Sequence, residues 1–341
     1  MRVFVTGATG FVGFAVAQEL LGAGHAVLGL ARSDEGAKSL EAIGAQVHRG
    51  DLEDLESLRN AAEKSDGVIH CAFNHDFSKF AANCEMDRQA IEALGSVLAG
   101  SDRPLIVTGG VGLIAPGRAA TEGDRPPAEG TREYPRVSEQ MADVLAARGV
   151  RTAVMRLPQV HDPVKQGFVS YLVAAARSTG VSAYTGAGGN RWSAVHRLDA
   201  ARLYRLALEN TASGSGGAVE RYHAVGEEGI PAREIAEEIG QGLKIPVVSI
   251  APEKSVEHFG FLGHFAGLDM PASSTWTQER LGWRPTGPGL LADLEEMFRS
   301  ELRKGRTECP IDQVTLEKLP SSPGRIKESD FRSRKTSRPM G

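Results

Sequence analysis

Three glycines near the start of the chain, Gly7, Gly10 and Gly13, have the residue type and spacing that can hold a phosphate group. They follow Arg2–Thr6, a β-branched and aromatic run that predicts a buried strand, and they precede a helical pattern over Phe14–Leu21. A strand, a glycine turn and a helix together lay the helix N-terminus against a pyrophosphate. Gly7 permits the tight turn, Gly10 lets the backbone approach the phosphates, and Gly13 lets helix and strand pack closely. The alternative is a glycine-rich turn that binds no ligand.

The Gly-x-x-Gly-x-x-Gly spacing, with Thr6 before it, resembles that of the extended short-chain dehydrogenase/reductase family, which includes nucleotide-sugar epimerases and dehydratases. The resemblance covers roughly residues 1–304. It implies a nicotinamide dinucleotide cofactor. It also implies that Thr9, Phe11 and Val12 line this cofactor together with the three glycines.

A second strand, predicted over His25–Ala31, ends directly before Arg32. In a dinucleotide-binding fold this strand end faces the adenosine ribose, where an acid holds a 2′-hydroxyl and an arginine accommodates a 2′-phosphate. The first acid, Asp34, comes two residues after Arg32. The pattern favours NADP, with NAD as the alternative if Arg32 is only a solvated surface side chain.

The resemblance implies further cofactor contacts at the ends of later strands, by Asp51, Leu52, Ala72, Phe73, Thr108 and Leu157. Asp51 and Leu52 are expected at the adenine, although Asp51 is also able to cap a helix that begins near Leu55. Phe73 replaces the second residue of an Ala-Ala pair that the family places under the cofactor. His70 lies in the apolar run of the fourth predicted strand, and we interpret it as a hydrogen-bonded core histidine.

The family reduces or oxidises a carbonyl/alcohol pair with a Tyr-x-x-x-Lys pair and a Ser or Thr at the end of the fifth strand. Thr108 matches this Ser or Thr and is predicted to orient the substrate oxygen. Tyr134 matches the tyrosine, which places Ser138 at the lysine position. An alignment shifted by one residue places Pro135 and Glu139 at the two positions instead. Neither alignment contains the lysine.

Without that cation, Tyr134 should stay protonated at neutral pH, because a free tyrosine titrates near 10. A protonated tyrosine can donate to the alkoxide formed in a reduction but is a poor base for an oxidation. Arg136 is a candidate replacement cation, although residues two apart on a helix do not face each other. Tyr134 also fits a helical apolar pattern, and packing at a helix entrance is the alternative to catalysis.

The leading hypothesis is therefore an NADP-dependent oxidoreductase that reduces a small aldehyde or ketone. His161, Tyr184 and Trp192 are candidate substrate contacts, with core packing as the alternative. A nucleotide-sugar epimerase or dehydratase would need groups for a diphosphate, which only the cluster of Arg191, Arg197 and Arg202 offers. A third hypothesis is a catalytically silent NADP(H)-binding sensor protein.

Strands alternate with helices as far as Leu157, which predicts an α/β fold: a doubly wound parallel sheet (Rossmann) with a smaller C-terminal substrate lobe. The cofactor domain is predicted over 1–160, completed by about 193–225. The lobe is predicted over 161–192 and 226–304. The polar residues 305–341 predict a disordered tail, with a basic recognition tail as the alternative.

The chain has 341 residues and a net charge of −4, which gives no indication of nucleic acid as a partner. Cys71, Cys84 and Cys309 lack metal-ligand spacing, and we expect reduced thiols and no bound metal. Because there is no signal peptide and no membrane-spanning run, a cytoplasmic protein is expected. Relatives of this type dimerise through helices that correspond to 80–98 and 135–148, so a homodimer is one expectation.

Overall fold

The computed structural model describes residues 1–126, 136–214 and 218–303. Their strands are β1 (Arg2–Thr6), β2 (Ala26–Ala31), β3 (Gln46–Arg49), β4 (Gly67–His70), β5 (Pro104–Gly110), β6 (Arg151–Leu157), β7 (Gln159–His161), β8 (Ser182–Thr185), β9 (Arg191–His196), β10 (Glu220–His223), β11 (Glu227–Pro231) and β12 (Val247–Ile250). Their helices are α1 (Phe11–Gly22), α2 (Asp34–Ala42), α3 (Leu55–Glu63), α4 (Phe80–Ser96), α5 (Ser138–Ala147), α6 (Val169–Thr179), α7 (Arg197–Ser213), α8 (Ala232–Leu243), α9 (Ser255–Phe259), α10 (Gly263–Ala266), α11 (Thr275–Leu281) and α12 (Leu290–Arg303). Short 3-10 helical turns are formed by residues 77–79, 252–254 and 260–262.

The central sheet has seven parallel strands in the order β10-β6-β5-β4-β1-β2-β3. The strand order reverses between β1 and β4, which is the point where open α/β sheets bind ligands beyond their carboxyl ends. The predicted doubly wound α/β fold is confirmed.

Successive side chains of β1 pack into two different hydrophobic cores, one on each face of the sheet, because side chains alternate between the two faces. Val3 and Val5 pack with α1, α2 and α7, whereas Phe4 packs with α3, α4 and α5. Both layers are apolar, as a parallel sheet that is covered on each face requires.

The C-terminal part contributes a three-stranded sheet, β11-β9-β7, and a two-stranded sheet, β12-β8. A separate hydrophobic cluster joins α6, α8 and α12, with Val173, Ile239 and Leu294 among its buried members. The predicted division of the chain near residue 160 stays a proposal. Among the described residues, no helix combines the length and apolar character needed to cross a membrane.

Three predicted boundaries are corrected. Helix α1 begins at Phe11 rather than Phe14, because Gly10 is the extended residue that precedes it. Strand β4 ends at His70, so Ala72 and Phe73 lie in the loop that follows. Helix α5 begins at Ser138 rather than at residue 135. Tyr134, Cys309 and the tail 305–341 lie outside the described residues.

Candidate active site

The turn after β1, formed around Gly7, Gly10 and Gly13, leaves a space that any larger side chain at these positions would occupy; we call it the glycine cradle. Gly7 has a φ of +67°, and a β-carbon on it would lie 2.8 Å from the amide nitrogen of Ala72. A β-carbon on Gly13 would lie 2.2 Å from the carbonyl oxygen of Gly7. The Gly10 amide donates to that same oxygen at 2.8 Å. The turn, the strand end and the helix are therefore held at distances that only glycine allows.

The N-terminus of α1 points its backbone amides out of this cradle. Gly10 offers no side-chain cap and the first turn of α1 has no acid, so the first amides of the helix lack intrahelical partners. Lys165 Nζ lies 5.7 Å, and Arg197 Cζ 5.0 Å, from the ring centre of Phe11, the first helical residue. The amides, the helix dipole and the nearby Lys165 ammonium together fit a pyrophosphate, whereas Arg197 is paired with Asp162. Val12 lies in the same first turn.

The end of β2 presents arginine rather than acid. Arg32 is exposed directly after the strand. Ser33 caps α2 by accepting from the amide of Gly36 at 3.1 Å, and the methyl group of Thr9 lies beside that glycine. The carboxylate of Asp34 accepts from Arg49 Nη2 at 2.8 Å. The nearest acid is thus paired with a second arginine.

Asp51 lies after β3 and shapes a turn rather than capping the next helix. Its Oδ1 accepts from the amides of Glu53 at 2.9 Å and Asp54 at 3.1 Å. Asp54 caps α3, with Oδ1 accepting from the amide of Ser57 at 3.0 Å. The alternative of an Asp51 helix cap is therefore wrong, because the helix starts one residue after Asp54. Leu52 packs against the core on the α3 side.

Arg136 reaches the carboxyl edge of the sheet. Its Nη2 donates to the carbonyl oxygen of Thr108 at 2.9 Å, and its Nε donates to Ser138 Oγ at 2.8 Å. Its guanidinium carbon lies 4.4 Å from the ring centre of Phe73, and Nε lies 3.5 Å from Asp87 Oδ2. The objection that residues two apart on a helix do not face each other does not apply, because α5 begins at Ser138. This fixed cation thus contacts Ser138, the residue that one alignment places at the family's lysine position.

A buried polar chain supports this cation. His70 Nδ1 lies 2.8 Å from Thr6 Oγ1, and His70 Nε2 lies 3.2 Å from Asp87 Oδ1. The hydroxyl of Ser138 donates to Asp87 Oδ2. Burial opposes ionisation of Asp87, but the charge of Arg136 and these hydrogen bonds outweigh it and lower its pKa. The interpretation of His70 as a hydrogen-bonded core histidine is confirmed.

The hydroxyl of Thr108 is turned into the protein. Oγ1 donates to the carbonyl oxygen of His70 at 2.6 Å and lies 2.7 Å from the hydroxyl of Tyr204, which belongs to α7. Burial raises the pKa of Tyr204 well above its usual value and that of the adjacent Cys71 to about 12. Tyr204 was not predicted at this site, because its sequence signal is that of a core position in a helix. The role of Thr108 toward a substrate stays a prediction.

Glu139 lies in a buried ion-pair network, next to Gly109 of β5. Arg156 donates to it through Nε and Nη2, each at 2.8 Å, and Arg221 donates through Nε at 3.0 Å. Its carboxylate is thus committed to two buried arginines. The shifted alignment, with Glu139 at the lysine position, gains no support from this geometry.

The predicted substrate contacts each have partners within the protein. His161 is fully buried, with Nδ1 2.7 Å from Asp293 Oδ2, and burial lowers its pKa to about 4. Trp192 is buried in the C-terminal hydrophobic cluster. The hydroxyl of Tyr184 accepts from Arg233 at 2.8 Å. Leu157, a predicted cofactor contact, is partly buried against the α1 side of the sheet.

The three arginines considered for a diphosphate are each paired with an aspartate. Arg191 pairs with Asp269 at 2.9 Å, Arg197 with Asp162 at 3.0 Å, and Arg202 with Asp199 at 2.7 Å. Asp199 also accepts from the amides of residues 286 and 287, as expected of an anchoring residue. The cluster is a set of structural ion pairs.

A model of the NAD dependent epimerase/dehydratase family matches residues 3–220. The chain therefore belongs to that family, and its resemblance to the extended short-chain dehydrogenases/reductases is confirmed. The family implies a nicotinamide dinucleotide cofactor, which the glycine cradle and the amides of α1 fit.

Two full-length relatives are uncharacterized proteins. One, from Schizosaccharomyces pombe, is 47% identical over 300 residues, which are 86% of this chain and 98% of that protein. The other, from Saccharomyces cerevisiae, is 46% identical over 301 residues, 87% of this chain and 99% of that protein. Among solved structures, Pal from Bacillus thuringiensis aligns with a TM-score of 0.69 and 16% identity over 88% of this chain and 100% of its own. At that identity the likeness shows the fold alone.

Proposed function

We propose that the protein is an NADP-dependent reductase of a small aldehyde or ketone. The observation that carries the proposal is the guanidinium of Arg136, which is fixed 2.9 Å from the carbonyl oxygen of Thr108 and 4.4 Å from the ring of Phe73. It supplies a cation at the sheet edge although the family's lysine is absent. Arg32, at the end of β2, supports NADP through its fit to a 2′-phosphate.

When bound, the reduced cofactor supplies a hydride. As the carbonyl carbon of the substrate accepts it, the electron pair of the carbonyl moves to oxygen, and the alkoxide then takes a proton. Arg136 stabilises the developing negative charge. A lone cation about 4 Å away at an effective dielectric of 20 contributes roughly 4 kcal/mol, and the Asp87 carboxylate, 3.5 Å from Arg136 Nε, reduces that contribution. Tyr134 is the proposed proton donor and would not need to be ionised for this direction.

The paired state of Arg191, Arg197 and Arg202 does not favour the nucleotide-sugar alternative, because a diphosphate would have to displace three aspartates. One observation favours the sensor alternative. The hydroxyl of Thr108 donates to the carbonyl oxygen of His70, and this hydrogen bond must break before Thr108 can orient a substrate.

The test is NADPH oxidation against a panel of aldehydes and ketones, with Arg136→Met and Tyr134→Phe beside the wild type. Loss of one preorganised group at the developing charge costs about 100-fold or more in kcat. We expect Arg136→Met to lose that much while NADPH still binds. Arg88→Met, which removes a partly exposed arginine of α4, is the control and should keep full activity. Tight NADPH binding without turnover of any carbonyl would instead select the sensor.

A further inference from the structure

Among the described residues, six phenylalanine and tyrosine side chains form a continuous cluster between the sheet edge and the C-terminal part of the chain. We call it the aromatic cluster; its members are Phe73, Phe77, Phe80, Phe168, Tyr171 and Phe261. The first three lie in the β4–α4 loop and the start of α4, and the others belong to α6, its preceding residue and the 260–262 turn. The cluster thus joins residues that are far apart in sequence.

The rings are in direct contact along the cluster. Phe73 and Phe80 have centroids 6.2 Å apart, and Phe80 and Phe77 are 5.8 Å apart. Phe77 lies 5.9 Å from Phe168 and is stacked on Phe261 at 4.1 Å with an interplanar angle of 12°. Aromatic pairs generally have centroids about 4.5–7 Å apart, so the Phe77–Phe261 stack is a close one.

One end of the cluster coincides with the candidate active site. Phe73 is covered by the guanidinium of Arg136, which itself contacts the carbonyl of Thr108. The residue before Phe73, Ala72, has its amide beside Gly7 of the glycine cradle. From this end the rings lead away from the cofactor site toward Phe261.

These rings are not simply interior packing. Phe73, Phe77 and Phe80 are partly exposed and belong to none of the buried hydrophobic clusters. The side chain of Phe168 is 40% exposed. An apolar wall with one well-placed polar group at its end is the usual construction of a small-molecule site. Here the wall is aromatic and the polar group is Arg136.

We propose that the aromatic cluster is the substrate wall and selects carbonyl compounds whose carbonyl group is attached to a planar apolar group, either an aromatic ring or a conjugated chain. The proposal rests on the reductase function. Arg136 receives the carbonyl oxygen, and the planar group lies along Phe73, Phe80 and Phe77. A sugar would present hydroxyl groups to the three phenylalanine rings, which offer no hydrogen-bond partners; the polar groups beside this wall are the imidazole of His75 and the hydroxyl of Tyr171.

The Phe77–Phe261 stack is the element that opens to admit the planar group. Both rings are carried by short 3-10 turns, Phe77–Lys79 and Gly260–Leu262, which have few backbone hydrogen bonds to hold them. Gly260 has a φ of +60°, so the backbone before Phe261 can adopt conformations that other residues rarely reach. A planar substrate can take the place of either ring in the stack.

The first experiment compares kcat/KM for benzaldehyde and hexanal with NADPH, in the wild type and in Phe77→Leu and Phe261→Leu. Phe265→Leu is the matched control: like Phe261, Phe265 packs against the C-terminal hydrophobic cluster, but it has no ring contact with the described members of the aromatic cluster. We expect the wild type to prefer benzaldehyde at least tenfold. Each of the two variants should lose at least tenfold on benzaldehyde, mainly through KM, with hexanal and the control changed less than threefold. Equal losses on both aldehydes, or no preference in the wild type, would overturn the proposal.

A binding experiment separates this proposal from the reductase function. The naphthalene fluorescence of 2-naphthylmethanol reports its binding to the NADP-loaded protein without any turnover. If the wild type binds this alcohol and Phe77→Leu weakens the binding at least tenfold, the aromatic wall is supported. That conclusion holds even if no carbonyl is reduced, in which case only the reductase function is refuted. Absence of binding, or equal binding by wild type and variant, refutes the wall itself.

Discussion

Replacing Glu139 with glutamine should lower the free energy of unfolding and leave the reductase activity almost unchanged. The side chain of Arg156 is 0% exposed and that of Arg221 3% exposed, and both donate to the Glu139 carboxylate. Removing one partner of a buried ion pair costs about 3–5 kcal/mol, because it leaves an uncompensated charge away from water. Arg221 keeps the carboxylate of Asp143 at 2.6 Å. We therefore expect a loss near the lower limit, about 3 kcal/mol.

The assay is urea unfolding followed by tryptophan fluorescence, run beside NADPH oxidation at a temperature where both proteins are folded. Glu56→Gln is the control, because Glu56 forms an exposed i,i+3 pair with Arg59 and should change the unfolding free energy by less than about 0.5 kcal/mol. For Glu139→Gln we expect a large shift of the urea midpoint and a kcat/KM within a few-fold of wild type.

The opposite pattern would refute this reasoning. If Glu139→Gln keeps the wild-type urea midpoint but loses 100-fold in kcat/KM, Glu139 acts in catalysis and the shifted alignment is the correct one. The proposal for Arg136 would then lose its basis.

Three further predictions concern the cofactor site and pH. Arg32→Ala should weaken NADPH binding about 10- to 150-fold, because a charge-assisted hydrogen bond contributes roughly 1.5–3 kcal/mol. NADH binding should stay unchanged. Fluorescence titrations measure both affinities, and an equal loss for both cofactors would contradict the prediction. Gly13→Ala should abolish cofactor binding, since its β-carbon would lie 2.2 Å from the Gly7 oxygen, whereas Gly22→Ala in the same helix meets no atom within 4 Å and should bind normally. Burial lowers the pKa of His161 to about 4. Below pH 6.5 the folded state therefore binds fewer protons than the unfolded state. The stability advantage of wild type over His161→Gln in urea melts should therefore shrink between pH 6.5 and 4, and a constant difference would count against it.

The central sheet was predictable because its strands carry an unambiguous signal. The runs 104–110 and 151–157 are apolar along most of their length, as strands buried on both faces must be, and they form β5 and β6 in the structure. The glycine-rich stretch 181–192 shows no strand pattern, yet it contains β8 and the start of β9. Short strands in small sheets have too few residues to establish an alternating pattern.

The site was predictable only where the chemistry is local. The glycine spacing encodes the cradle directly, because each glycine is required by atoms within the same turn or by the adjacent strand end. The position of Arg136 depends on where α5 begins, and helix boundaries are set by contacts that a pattern does not contain. Tyr204 meets Thr108 only because α7 folds back across the sheet from 96 residues away.

The place of α7 and β10 in the chain has a consequence for synthesis on the ribosome. Once Leu157 has emerged, six of the seven strands of the central sheet exist, but Ile106 and Met155 still lack the α7 side chains that share their core. The strand that completes the sheet, β10, pairs with β6 and comes only after β7, β8 and β9. A nascent chain therefore leaves this apolar face open until α7 has been released, and apolar surface exposed in that way favours aggregation.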